Sequence, residues 1–517
     1  MSKKSCEEPF RVAIIGGGMG GATAAYYLRQ LFGSQVGLTL FEQTGRVGGR
    51  IRAVQFAGQQ YETGASLFHT SNLYMCKFAK QFGLEIKDES KPDDRPLFYN
   101  GHGGLTFSTL GGPSMLVPLR LLWRYGTQFI RLRWYTGSMD KDFSRIYQLQ
   151  DKNNGFTTPA RLLEALRPEF LEMTKWTYSD WLTRRLKITA DRLKDEIAYG
   201  LMSNNYCQNM ADVHAFVGFI SMASIIPKLA SIKGGNELVP QKLVQSALET
   251  NPLGSPKEIL HAQVTTVSPA QATEQFTVEY LPNGSNQTKR DTFDYVILAT
   301  PLHQKANVRL DKCIVPPTTT YQAVDHSFFL GTLKHSEFGI RSDSYSVRQF
   351  PAIFPTQNAY LSGHCLFRSL LSVSNDMADR QERMWVTFSD PARVPNPLQT
   401  LAERYVDRRD SNQTSSLNSL KVSWLAYPVY EPLSKPETQL GSFVLAPKLY
   451  YANAIERVAS CMEIAAIGGR NVAILVYAHK QSTRRLTENE AIEATVDGVK
   501  VYPVPNVKAD GKIAPYK

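Results

Sequence analysis

The sequence predicts an α/β protein in which a nucleotide-binding domain of strand–turn–helix construction is interleaved with a second, mixed and partly helical domain. Three observations carry this. Residues 11–15 (RVAII) form a short apolar run, Gly16-Gly17-Gly18-Met19-Gly20-Gly21 then opens a stretch of helical spacing that stops at Gly33, and residues 36–41 (VGLTLF) form a second apolar run ending on Glu42. Together they make a βαβ unit of about thirty residues. From about residue 105 to 230 the pattern changes to long helical periodicities rich in Leu, Arg, Trp and Tyr. Residues 231–302 return to strand-like alternation, with a polar turn, Pro282-Asn283-Gly284-Ser285-Asn286, between two strands and a buried strand at 294–299.

Beyond residue 302 short strands and loops are expected to about 445, with polar loops at 373–396 and 408–418. A strand-like LYYA at 449 and an apolar helix beginning near Glu456 follow, and the tail after 481 is charged and expected to be peripheral. The nucleotide domain is therefore assigned to 10–104, 231–302 and 445–480, the second domain to 105–230 and 303–444, and the tail to 481–517. The 517 residues exceed one ordinary core, so two domains suit the length.

Composition is that of a globular chain, 43% hydrophobic and 20% charged. The net charge of +11 favours an anionic ligand or surface. No nucleic-acid recognition motif accompanies it, so no nucleic-acid partner is expected. The six cysteines never form a CxxC pair, and no metal site is expected. No apolar run approaches the roughly 18–20 residues of a membrane span. The chain opens on polar residues rather than an apolar leader, so a cytoplasmic location is expected if Met1 is the native start.

Gly16, Gly18 and Gly21 fit GxGxxG, with the first glycine for the tight turn, the second for backbone approach to a pyrophosphate and the third for helix–strand packing; Gly20 lies in the same loop. The helix N-terminus favours phosphate. Glu42 is placed to accept hydrogen bonds from ribose hydroxyls. Next comes Gly45-Arg46-Val47-Gly48-Gly49-Arg50, and here the chain resembles the flavin amine oxidase superfamily, whose members carry a GGR turn after the ribose-binding acid. The resemblance implies a Rossmann-type FAD-binding domain, with Gly48, Gly49 and Arg50 at the pyrophosphate. It implies, too, that Gly64, Ala65 and Ser66 lie beside the cofactor and that Lys233-Gly234-Gly235-Asn236-Glu237-Leu238 leads into a helix. Val264 would fall on the adenine-side strand, and the segment from Glu456 to Met462 at the flavin.

A narrower resemblance runs from about residue 10 to 480. ETGASLFH, LLWRYG, AFVGFISMAS, WLAYPVY and LYYANAIERVASCMEIAA are similar to segments of the prenylcysteine oxidase (prenylcysteine lyase) family. The sequence departs from the family pattern at Lys233 and Cys207. The resemblance implies an FAD-dependent thioether oxidase taking a prenylcysteine and molecular oxygen to a prenyl aldehyde, cysteine and hydrogen peroxide, with a lysosomal address. A relative acting on another prenylated small molecule or an amine is the alternative. Chemistry of this kind belongs to the cofactor and needs no obligatory base. His69, close to the expected flavin loop, is the leading candidate for orienting water or tuning the flavin, ahead of His214 and His303. The stretch from Leu116 to Tyr135 mixes aliphatics, aromatics and arginines, as an interfacial helix contacting a membrane does.

Overall fold

A computed structural model describes residues 9–89, 97–108, 116–223, 229–249, 259–270, 273–302, 308–311, 316, 319–339, 352–373, 383–407, 419–484, 495–497 and 499–500. Its framework is a nine-stranded sheet with a parallel centre. Phe10–Ile15 (β1) is flanked by Val36–Glu42 (β2), in register Val12↔Leu38, and by Tyr295–Leu298, in register Ile14↔Ile297. Leu449–Tyr451 continues the parallel run on one side and Ile259–Pro269 on the other. Val12, Ala13 and Ile14 are fully buried. A strand covered on both faces reads as an unbroken apolar run, which is why RVAII shows no alternation. Met19–Phe32 (α1) follows the glycine turn and ends on Gly33 at φ +55°.

The helical region holds Val117–Tyr125 (α2) and Thr127–Phe143 (α3), joined at Gly126. The second sheet has eight strands and is centred on Tyr321–Leu333 (β3), with Ser419–Pro428 on one side and Arg383–Ser389 on the other. Met462–Arg484 (α4) packs on α1. The contact is close because Gly468 and Gly469 face backbone: a Cβ on Gly469 would lie 2.2 Å from the Gly20 carbonyl oxygen. This draws the N-termini of α1 and α4 toward one place.

Four expectations change. The polar stretch 373–396 contains a strand, Arg383–Ser389, whose Met384, Trp385 and Val386 are buried against β3; polar residues on either side hid it. The 408–418 stretch lies outside the described residues. The C-terminal helix begins at Met462, not near Glu456, because Ala452–Arg457 forms a 3₁₀ turn. Leu97–Tyr99, inside the range assigned to the nucleotide domain, pairs with Ala352–Pro355 in the second sheet. Part of the tail is anchored: Thr495–Val496 pairs with Asn154–Gly155, and the Thr157 amide donates to Asp497 (2.9 Å). Two of its carboxylate bonds and a strand ladder outweigh the tail's charge here.

Candidate active site

A cavity of about 2040 Å³ runs from the C-terminal end of β1 into the helical region. At its sheet end the walls are mostly backbone. Gly16 turns the chain at φ +110°, and a Cβ there would lie 2.6 Å from the Ala299 carbonyl oxygen, so only glycine fits. Gly18 occupies the N-cap of α1 with no side-chain cap, leaving first-turn amides for a ligand. The two glycine turns meet: Gly18 bridges to Gly48, and the Gly48 amide donates to the Gly17 carbonyl (2.9 Å). A Cβ on Gly49 would come within 3.2 Å of Gly18 Cα, whereas one on Gly18 would meet nothing nearer than Gly49 Cα at 3.9 Å and would project into the cavity. Gly21 is the packing glycine, since a Cβ there would lie 2.0 Å from the Gly16 carbonyl oxygen; it does not line the cavity. Gly20 lines it and touches α4.

Glu42 caps this cradle. One carboxylate oxygen accepts from the Gly17 amide (2.8 Å) and the other from the Thr44 amide and hydroxyl (both 2.7 Å). The oxygen bonded to the Gly17 amide keeps a second lone-pair direction for a ribose hydroxyl, while the other is filled by Thr44. Val264 lines the cavity from the neighbouring strand, where His261 pairs with Glu42. Gly64, Ala65 and Ser66 form another wall, pinned by Asn236, whose side-chain amide donates to the Ala65 (3.0 Å) and Ser66 (2.8 Å) carbonyls. Asn236 was not singled out from the sequence as a site residue; its place in the GGNE turn was the available signal. Its backbone amide donates to Glu62 (2.6 Å), a carboxyl that burial pushes up to about 7.

Arg50 lines the cavity and is also anchored across the two sheets. Its guanidinium donates to the Ala426 carbonyl (2.7 Å) and pairs with Glu456, which in turn accepts from the Tyr321 hydroxyl (2.6 Å) and the Asn453 amide (2.8 Å). A charge expected at the pyrophosphate thus ties the GGR turn to β3 and to the 3₁₀ turn, because a buried carboxylate demands a cation. The backbone of Gly48 and Gly49 remains on the cradle. Met462 sits at the cavity as the first residue of α4, so two helix N-termini open into one space. A bare glycine cradle, an acid at the end of β2 and two helix N-termini fit an FAD, whose pyrophosphate and anionic ring each gain from positive helix ends.

Farther in, the walls become apolar, with Val117 and Leu121 of α2, Phe129 of α3, Phe354 and Phe388. One imidazole stands among them. His326, on β3 and 2% exposed, donates Nδ1–H to the Thr63 carbonyl (2.8 Å), an acceptor it shares with the Trp424 indole (2.7 Å). Phe388 stacks on it at 4.4 Å. Burial lowers its pKa to about 4, so the ring is neutral; the residue lines the cavity, and its buried Nε2 has no hydrogen-bond partner. His69, the histidine expected to act, lies on the same cavity but is held locally. Its Nδ1 accepts from the Ser71 amide (3.1 Å) and lies 2.6 Å from the Ser71 hydroxyl, which places the ring proton on Nε2. His69 is therefore a donor and His326 an acceptor. Sequence reasoning missed His326 because nothing local marks a histidine within a β-strand.

The altered family positions separate. Lys233 is exposed, borders the cavity and pairs with Glu85 (2.9 Å). Cys207 is buried away from the cavity, ending helix Tyr199–Tyr206 in the left-handed conformation at φ +48°, and burial raises its thiol to about 11. It bears on a helix end rather than on the chamber.

The fold and site define an FAD-dependent oxidoreductase. Cyclohexylamine oxidase from Brevibacterium oxydans has the same fold, with a TM-score of 0.58 at 15% identity over 92% of this chain and all of that one. Putrescine oxidase, as a triple mutant with redesigned cofactor binding, gives 0.60 at 14% identity over 91% and 99% of the two chains. Residues 14–82 match the NAD(P)-binding Rossmann-like domain and residues 113–489 the prenylcysteine lyase family. Prenylcysteine oxidase 1 of Homo sapiens is 31% identical over 484 residues, 91% of this chain and 89% of that one, and the Bos taurus protein is 30% identical over 498 residues, 93% and 91%. The chain belongs to the prenylcysteine lyase family.

Proposed function

We propose that the chain is an FAD-dependent thioether oxidase that cleaves prenylcysteines, farnesyl- and geranylgeranylcysteine among them, with oxygen and water to a prenyl aldehyde, cysteine and hydrogen peroxide. The observation that carries this is the continuity of one cavity from a glycine cradle suited to FAD into a chamber lined by aliphatic and aromatic side chains. A long apolar tail needs such a chamber, with few polar groups to orient the head. When bound, FAD supplies the two-electron acceptor that takes hydride from the carbon between sulfur and the allylic double bond and returns the electrons to oxygen.

The protein then has to handle water and a proton. The oxidised carbon is a cation shared with the sulfur lone pair, and water adding to it must shed a proton. His326, on the wall of that space, has a neutral, unpartnered Nε2 to accept it; the resulting imidazolium can return the proton to sulfur as the carbon–sulfur bond breaks, while the hydroxyl proton lost as the carbonyl forms ends on the oxygen reduced to hydrogen peroxide. The buried Asn204 carbonyl oxygen, likewise unpartnered, is a second acceptor on the wall and suits the substrate ammonium. Because prenylated substrates partition into lipid, peripheral contact with a membrane belongs to the same function; no helix among the described residues is long and apolar enough to cross one.

Anaerobic mixing of the FAD-loaded protein with farnesylcysteine tests the proposal. Bleaching of the flavin absorbance, with aldehyde and peroxide appearing once air is admitted, is the expected result. An amine or another prenylated compound that bleaches the flavin where farnesylcysteine does not would replace the thioether as substrate.

A further inference from the structure

Six of the eleven large apolar side chains that are exposed among the described residues lie in one stretch, Leu116 to Trp134. Trp123 is 86% exposed and Trp134 73%, with Leu119 at 61% and Ile130 at 55%. Leu119, Leu122 and Trp123 share a face of α2 by their spacing, and Ile130 and Trp134 share one of α3. Single exposed leucines are ordinary, but a cluster with two bare tryptophans marks a surface that meets something.

The opposite side of the same helices faces inward. Val117 and Leu121 of α2 and Phe129 of α3 line the cavity, so the helix pair is the wall between the apolar chamber and the outside. Charge along the exposed part of this wall has one sign, the acids of α3, Asp140 and Asp142, lying at its C-terminal end. From Leu116 to Met139 there are four arginines and no acidic residue. Arg124 is taken up by Glu196, which accepts its Nε–H at 2.8 Å, and the exposed Arg131 reaches the Leu186 carbonyl at 3.1 Å. Arg133 is exposed and Arg120 half-exposed beside the apolar face.

We propose that α2 and α3 are a monotopic docking surface for an anionic lipid bilayer, and that substrate passes from the bilayer sideways into the chamber behind them. This deepens the assignment of a lipid-borne thioether and rests on it only for the cavity's role. Tryptophan and leucine buried to the level of the acyl boundary, with arginines at the headgroups, is the arrangement of interfacial helices. The absence of acidic residues from Leu116 to Met139 argues for anionic lipid rather than a basic protein face. A prenyl chain moving along such a path never has to cross water.

Co-flotation of the FAD-loaded full chain with vesicles tests it, using phosphatidylcholine alone and phosphatidylcholine mixed with phosphatidylserine. The wild type floats with the mixed vesicles and less with the neutral ones. W123S/W134S abolishes flotation, and R120E/R133E weakens binding to the mixed vesicles by about fivefold for each arginine removed. These side chains do not line the cavity, so both variants keep FAD and turn over S-dimethylallylcysteine, a short water-soluble substrate, at wild-type rate. With vesicle-embedded farnesylcysteine they are slowed at least tenfold. A wild type that stays unbound to the mixed vesicles, or variants that float as it does, overturns docking. A wild type that elutes as a dimer while W123S/W134S elutes as a monomer overturns it in favour of a second copy of the chain. Loss of turnover on every thioether by an FAD-loaded wild type that still floats would sink the substrate assignment and leave docking intact.

Discussion

The two ends of the cavity are built on different principles. The cradle end is nearly all backbone: three glycines that lack room for a side chain, or that face the ligand space, and the uncapped start of α1. The chamber end is nearly all side chain, contributed by α2, α3, β3 and strands far apart in sequence, with one neutral imidazole among aromatic rings. A backbone site can be damaged by adding atoms and is indifferent to most chemistry. A side-chain site is damaged by removing one particular atom.

The largest effect should follow from adding atoms to the cradle. Gly18→Val has no close neighbour to clash with except across the cavity, so the fold should survive while FAD affinity falls roughly 10- to 100-fold, from the ~1–3 kcal/mol that overfilling a packed space costs. The flavin absorbance of the purified protein, against an unchanged circular dichroism spectrum, checks this. Gly21→Ala, buried against the Gly16 carbonyl, should instead lower the melting temperature. If both variants lost FAD and stability equally, the distinction between ligand-facing and packing glycines would fail.

At the chamber end the corresponding change removes a lone pair. His326→Phe preserves the ring packed against Phe388 and should retain FAD, yet lose roughly 100-fold in kcat, the lower range for proton transfer by a positioned side chain. His326→Gln, which keeps an acceptor, should fall between. Because burial holds the imidazole near 4, protonation removes the lone pair only as pH drops through about 4, so kcat/KM should be flat above that and decline below it. An acid limb near 6.5, or a limb that persists in His326→Phe, would show that a different group is titrating.

This contrast explains what could be read from the sequence. Backbone sites are written locally: Gly16 to Glu42 and Gly45 to Arg50 are contiguous, and their spacing alone gave the strand, the turn, the helix and the acid. The ion pair of Arg50 could not be read, because its partner, Glu456, lies at the other end of the chain and the pair exists only after folding. His326 was invisible for the same reason, since its tautomer is set by Thr63 and its burial by Phe388. His69 was attractive only because it stands next to the glycine-rich ETGAS segment. The strand at 383–389 was lost inside a polar neighbourhood. Asn236 could have been found, as an amide following two glycines is well suited to pinning a backbone loop.

A smaller effect tests the chamber's shape. Leu121→Trp, on the inward side of α2, should raise KM for geranylgeranylcysteine roughly tenfold and for farnesylcysteine less, because a filled pocket excludes the longer tail first. Equal effects on both would mean that the prenyl tail takes another direction from the cradle.

The smallest effect belongs to the joint between the two ends. Glu463, in the first turn of α4, accepts from the Tyr74 (2.7 Å) and Met75 (3.0 Å) amides at the start of helix Leu73–Gln81, and burial pushes its pKa up to about 7. A carboxyl raised above its unfolded value contributes stability that is complete below about 4.3, where both states are protonated, and is lost as pH rises through about 7. Glu463→Gln keeps the acceptor and cannot ionise. Its melting temperature should therefore hold between pH 5 and 8 where the wild type's declines, by on the order of 2 °C, and the two curves should converge at low pH. A wild type that gained stability over that range relative to the glutamine variant would mean that the carboxylate is stabilised by the two amides more than it is penalised by burial. In that case the start of α4 would be an anion site in its own right, and its positive end would be spent on Glu463 rather than turned toward the cavity.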